Sequence, residues 1–139
     1  MATDGYSVED DGIYTDNLVV RNKINGIPVS PPYYSYVALL TQTGLADPTA
    51  DVKDNSFGDI LWVRNNPGEY EGFIQNWEIG TILASELVVI VSNVIFDCII
   101  SAQYIPSNNS IYINTTQVGV GFVDNYLVYT PLEVRYYKP

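Results

Sequence analysis

Residues 33–74 decide the fold, with Tyr33-Tyr34-Ser35-Tyr36-Val37-Ala38-Leu39-Leu40-Thr41 at one end and Ile60-Leu61-Trp62-Val63-Arg64-Asn65-Asn66-Pro67-Gly68-Glu69-Tyr70-Glu71-Gly72-Phe73-Ile74 at the other. They spell strands and a tight hairpin with no catalytic residue between them. In Asn65-Asn66-Pro67-Gly68, the proline presets φ near about −65° and the glycine accepts the positive φ that a type II turn requires. Ile60 to Val63 and Tyr70 to Ile74 therefore read as antiparallel neighbours.

Working outward, the pattern predicts a strand over 33–43, a polar loop over 44–58 and hairpin strands over 59–64 and 69–75. Leu87-Val88-Val89-Ile90-Val91 and the run 95–105 are β-branched and nearly continuous, as strands buried on both faces would be, and they predict central strands on the floor of the core. Pro106-Ser107-Asn108-Asn109-Ser110 reads as a turn, and Ile111-Tyr112-Ile113-Asn114-Thr115 alternates beyond it, giving a second hairpin. The terminal Leu132-Glu133-Val134-Arg135-Tyr136-Tyr137 alternates cleanly and predicts a half-solvated edge or outer strand. Between residues 75 and 86, Gly80 and Thr81 allow at most one short helical turn, with Trp77 and Ile82 packing inward. About seven to nine short strands with regular turn signals indicate an all-β fold, an antiparallel β-sandwich of jelly-roll-like kind.

Before this domain, residues 1–32 form an acidic N-terminal segment. Asp4, Glu9, Asp10, Asp11 and Asp16 are unopposed over the first 16 positions, and such a stretch cannot bury enough surface to fold alone. Asn17-Leu18-Val19-Val20-Arg21-Asn22-Lys23-Ile24-Asn25-Gly26-Ile27-Pro28-Val29 then follows an extended pattern, and Pro31-Pro32 stiffens the junction and forbids helix. The expected division is an attachment and oligomerisation arm over 1–32 and a β-sandwich over 33–139.

Composition narrows the chemistry. Of 139 residues, 47% are hydrophobic and 16% charged, with 12 Tyr, against roughly 25% charged in ordinary soluble domains; this surface suits contact with other protein. Six Lys and Arg face 16 Asp and Glu, a formal charge of −10, and the cations are scattered, so a nucleic-acid partner is not expected. The chain has no His, which removes the commonest general base and metal ligand and excludes Ser-His-Asp hydrolysis and zinc enzymes. Cys98, in an apolar run, reads as a small buried hydrophobe. The first residues lack a signal-peptide pattern and no apolar run approaches the about 20 residues of a membrane helix, so synthesis in a cytoplasm and no membrane partner are expected.

The segments Tyr36-Val37-Ala38-Leu39-Leu40-Thr41-Gln42-Thr43-Gly44, 46–52, Gly58-Asp59-Ile60-Leu61-Trp62, Gly68-Glu69-Tyr70 and Thr130-Pro131-Leu132-Glu133-Val134-Arg135 together resemble a small β-domain of bacteriophage structural proteins. The resemblance spans roughly residues 33 to 137. It implies a non-enzymatic virion protein, of capsid-decoration, head-fibre or tail-fibre type, in which the variable N-terminal segment attaches or trimerises. The partners it implies are further copies in a homotrimer and other virion proteins such as the major capsid protein or fibre and portal components. Only about 32 residues precede the domain, with no long repetitive shaft, which favours a small accessory protein. Attachment is expected to use Tyr14, Leu18, Val19, Val20, Ile24, Ile27 and Val29.

Other chemistries have their own candidates. Two carboxylates can serve a glycosidase, and Asp59, Glu69, Glu71 and Asp97 are the choices; Glu69 and Glu71 share a strand face about 7 Å apart, but an exposed pair on a hairpin is ordinarily a solvated face. Asp47, Asp51, Asp54 and Asp59 could offer Ca²⁺ an oxygen-rich loop over 47–59, yet their spacing is not that of an EF-hand, and no cofactor is expected. Tyrosines in and beside the strands, with Trp62 and Trp77, suit core and interface. The rival reading is a fibre tip in which Tyr and Asn of loops 44–58 and 106–110 hold a host surface glycan.

Overall fold

A computed structural model of the chain describes residues 23–24, 27–28, 32–75, 80–92 and 96–137. Within the first unit, β1 (Lys23–Ile24) pairs antiparallel with β2 (Ile27–Pro28). Tyr33 opens the second unit. Its strands are β3 (Tyr33–Thr41), β4 (Thr49–Asn55), β5 (Ile60–Asn66), β6 (Glu69–Ile74), β7 (Leu87–Val91), β8 (Cys98–Ile105), β9 (Ser110–Gln117), β10 (Gly121–Phe122) and β11 (Thr130–Tyr137).

These strands form an all-β antiparallel sandwich. One sheet runs β4-β3-β11-β7; the other runs β5-β6-β9-β8, with the short β10 extending the β6 edge of β9. Strands come in hairpin pairs within a sheet, and the chain crosses between sheets after β4, β6, β7 and β10. Alternation fills the interior from both sides. Tyr36, Ala38, Leu40, Leu132, Val134 and Tyr136 face in from the first sheet, and Trp62, Tyr70, Ile74, Ile100, Ile111 and Ile113 from the second. Trp62 Nε1 donates to the Tyr36 hydroxyl across the interior at 3.4 Å, so two large rings are packed and polar-satisfied together.

The hairpin of residues 60–74 has the anticipated register, with Ile60 opposite Ile74 and Trp62 opposite Gly72. Gly72 is required there by space: a Cβ would stand 2.6 Å from the Trp62 ring. At the turn, Gly68 has φ +69°. The second hairpin pairs β8 with β9 from Cys98 opposite Gln117 to Ile105 opposite Ser110. A single 3₁₀ turn, Ala84–Glu86, precedes β7, and Ile82 is buried beside it; Trp77 lies outside the described residues.

Three expectations change. Residues 49–55 are not loop but strand β4, paired with β3 through Ala50 opposite Leu40 and Val52 opposite Ala38, with a bulge between Val37 and Ala38. An edge strand needs few apolar residues, which is why its polarity read as loop. The apolar runs 87–91 and 95–105 contain no central strand: β7 and β8 are the edges of their sheets, leaving Val88, Ile90 and Ile99 exposed. The cleanly alternating β11 is central, between β3 and β7, because alternation reports a sheet with one wet face and not a position at its rim.

Gly68 carries two constraints at once, the left-handed backbone and a Cβ position only 2.6 Å from both Thr115 O and Val123 N. Gly68→Ala is expected to cost about 3 kcal/mol by urea unfolding, whereas Gly44→Ala, at φ +62° with open space around it, costs about 1 kcal/mol.

Candidate functional site

Three groupings emerge from this frame. The first is a polar node at one end of the sandwich. Asp124, in the connection from β10 to β11, accepts from Arg64 Nε and Nη2 at 3.1 and 2.7 Å, from Gly68 N at 3.0 Å and from the Tyr70 hydroxyl at 2.9 Å. The buried Gln42 accepts from Asn125 N at 2.9 Å and donates to the carbonyls of Gly44 and Ala46. Asp47 accepts from Arg64 N, and Thr115 donates its hydroxyl to Val123 O. The Arg64 guanidinium holds the Asp124 carboxyl below its ordinary range, and burial pushes Tyr70 up to about 12. The members bond one another, so the node ties the connections together.

The second grouping lies on the outer face of the β5-β6-β9-β8 sheet, where β6 presents Glu69 and Glu71. Glu71 is 7% exposed and accepts from Ser110 Oγ at 2.6 Å, Asn65 Nδ2 at 3.1 Å and Asn108 Nδ2 at 3.4 Å. Those donors, Ser110 above all, hold its carboxyl below the usual range. Glu69 accepts from the Tyr112 hydroxyl at 2.9 Å. A glycosidase acid must keep its proton near neutral pH, and Glu71 is held the opposite way. Asp59 and Asp97 are elsewhere, hydrogen-bonded to Asn55 and Gln117. Asn114 Oδ1, opposite Glu69, is buried with no hydrogen-bond partner among the described residues.

The acidic run 47–59 does not gather. Asp51 pairs with Lys53, Asp54 accepts from Ser35, and Asp47 turns to Arg64. Among the described residues no three His, Cys, Asp or Glu side chains come together. Of Asn108 and Asn109, expected on a ligand-facing loop, Asn108 is exposed and donates to Glu71 at 3.4 Å, and the half-buried Asn109 accepts from the Tyr104 hydroxyl at 2.9 Å. Cys98 is buried, its thiol pushed up by that burial. Trp62, Tyr36, Tyr70 and Tyr136 are core. Of the attachment residues, Ile24 and Ile27 lie opposite each other in the β1/β2 pair; Tyr14, Leu18, Val19, Val20 and Val29 lie outside the described residues.

The third grouping was not anticipated. Ile99 and Phe122 flank Thr116 from the two neighbouring strands, Val118 N bonds to Asp97 O at 3.0 Å, and Phe96 precedes that aspartate. Phe96 is fully exposed, and Ile99, Val118, Val120 and Phe122 are 52–68% exposed. Five apolar side chains therefore share one end of the second sheet and its rim. The sequence hid them because Val118-Gly119-Val120-Gly121-Phe122 reads as ordinary strand material. The patch can bury apolar area against a partner, at about 25 cal/mol per Å² removed from water.

No family model matches the chain, and no curated protein or solved structure does either.

Asp124 and Glu71 both have lowered carboxyl pKa values, so each contributes stability above the ordinary carboxylate pKa that is lost as pH falls through its folded value. Stability by urea unfolding is expected to fall as pH drops from 5 towards about 2, with Asp124→Asn and Glu71→Gln each flattening that fall. At pH 7 Asp124→Ala, which strands the Arg64 guanidinium and Gly68 N, is expected to cost at least about 2 kcal/mol.

Proposed function

We propose that this chain is a non-enzymatic structural protein that acts by assembly, a virion component of decoration or fibre-associated type made in the host cytoplasm. The single observation that carries assembly is the exposed apolar end of the second sheet, where Phe96, Ile99, Val118, Val120 and Phe122 stand together. A soluble β-domain seldom leaves such a cluster uncovered unless a partner covers it. The virion setting rests on the resemblance to bacteriophage β-domains. Further copies, in a homotrimer, and the capsid or fibre proteins are the partners. With a charge of −10 the chain has little to offer nucleic acid.

The polar groups support the same reading. Asp124, Glu71, Glu69, Asn108 and Asn109 are occupied with one another or with neighbouring strands, so their free energy goes into rigidity. The glycan-binding alternative would need asparagines and tyrosines free around a groove, whereas Asn109 and Tyr104 are bonded to each other.

The reading is tested by co-sedimentation of the full chain with purified bacteriophage capsids and fibres, together with its mass by light scattering. Phe122→Asp combined with Ile99→Asp is expected to weaken association at least tenfold while thermal unfolding stays within a few degrees, because both side chains are exposed. A monomer that ignores every particle, with or without the substitutions, would overturn assembly and send the search to glycan arrays.

A further inference from the structure

The two sides of the sandwich are guarded differently. On one side, β4 contains Asp51, Lys53 and Asp54 and lies against a bulge, and β5 has a bulge between Arg64 and Asn66. Charge and bulging are the devices by which edges avoid pairing with another chain. On the other side, β7 is Leu-Val-Val-Ile-Val and β8 is Cys-Ile-Ile-Ser-Ala-Gln-Tyr-Ile, neither with a charge or a proline, and β7 keeps an unbroken register with β11. The far end of β8 is approached by the chain leading into β7, since the Tyr104 hydroxyl donates to Ile82 O at 3.3 Å. The edge of β7 is the better template.

We propose that the edge of β7 left unpaired among the described residues accepts residues 18–24 of a second copy of this chain as an added antiparallel strand. This rests on the assembly reading above and names its partner. The segment has the alternation an added strand needs. Leu18, Val20, Asn22 and Ile24 share one face, three of the four apolar and suited to continue the buried side of Leu87, Val89 and Val91, and Val19, Arg21 and Lys23 share the other. Charge supports the match: Arg21 and Lys23 are two of the chain's six cations, with no acid among residues 17–29. The acid at the receiving edge is Glu86, just before β7; Glu133, opposite Ile90, is ion-paired with Arg135, opposite Val88. The β1/β2 pair leaves the second edge of Lys23–Ile24 for such a contact.

The test is amide hydrogen exchange of the full-length chain at several concentrations, paired with light scattering, for the native chain, Val20→Asp and Ile90→Lys. In the native oligomer, β7 amides facing away from β11 are expected to exchange at least tenfold more slowly than in either variant. β11 amides stay protected in all three, which shows the sandwich folded. An oligomer with unprotected β7 amides overturns the inference and leaves assembly standing through the apolar end of the second sheet. A monomer with protected β7 amides shows the edge covered by its own chain and overturns the second copy. A monomer with unprotected β7 amides overturns this inference and self-assembly together.

Discussion

The carboxylate of Asp124 is the contact on which the ordering of this sandwich depends. A two-sheet fold gains most of its free energy from apolar burial, but burial is indifferent to how the connections at the ends are placed. Here one anion fixes Arg64 and Tyr70 of the second sheet and the backbone of Gly68 at the hairpin turn. Gln42, the residue after β3 in the first sheet, is reached through the Tyr70 hydroxyl at 3.1 Å and through Asn125 N. The turn, two connections and both sheets are thereby locked to one point. Because the Arg64 and Asp124 side chains are only 16% and 12% exposed, removing one partner strands the other in a poorly solvated place, which makes such a pair unforgiving.

Rigidity at that end contrasts with what the rest of the surface offers. Val88, Ile90, Ile99, Val118, Val120 and Phe122 are exposed on or beside β7, β8 and the β9/β10 turn. Gly119 and Gly121, at φ +82° and +109°, let the chain turn tightly there so that valines at the tip point outward. A fold this well satisfied internally has no need of that apolar area for its own stability, and the proposed assembly would give it a use.

How far the sequence disclosed this can be judged element by element. The hairpin of residues 60–74 was legible because Pro67-Gly68 and the flanking apolar residues are local signals, and the β8/β9 hairpin was legible for the same reason. Strand rank within a sheet was not. Leu-Val-Val-Ile-Val looks central because central strands are often continuous and apolar, yet β7 is a rim. β4 was hidden because only Ala50 packs against the core, Val52 being 43% exposed. The Asp124 node was illegible from the sequence: its partners lie 54 to 60 positions away, and nothing in Val123-Asp124-Asn125 distinguishes it from a solvated loop. The apolar patch was missed for a related reason, since exposure is a property of the sheet's end and not of the residues.

The unguarded β7 and β8 edges pose a problem that the charge of the chain answers. Uncharged, β-branched rims invite indiscriminate pairing, and the usual local remedy of a lysine on the edge is absent. A formal charge of −10 supplies a global remedy, since two sandwiches approaching rim to rim bring acidic surfaces together before any backbone hydrogen bond can form. Such repulsion is screened over about 8 Å at physiological salt, so it discriminates between partners without forbidding contact. A surface or segment carrying cations on an extended, apolar backbone passes that filter, and within this chain the residues around Arg21 and Lys23 are the ones that combine both properties. Specificity would then come from charge and affinity from the backbone ladder and the apolar flank, a division of labour that needs no catalytic residue.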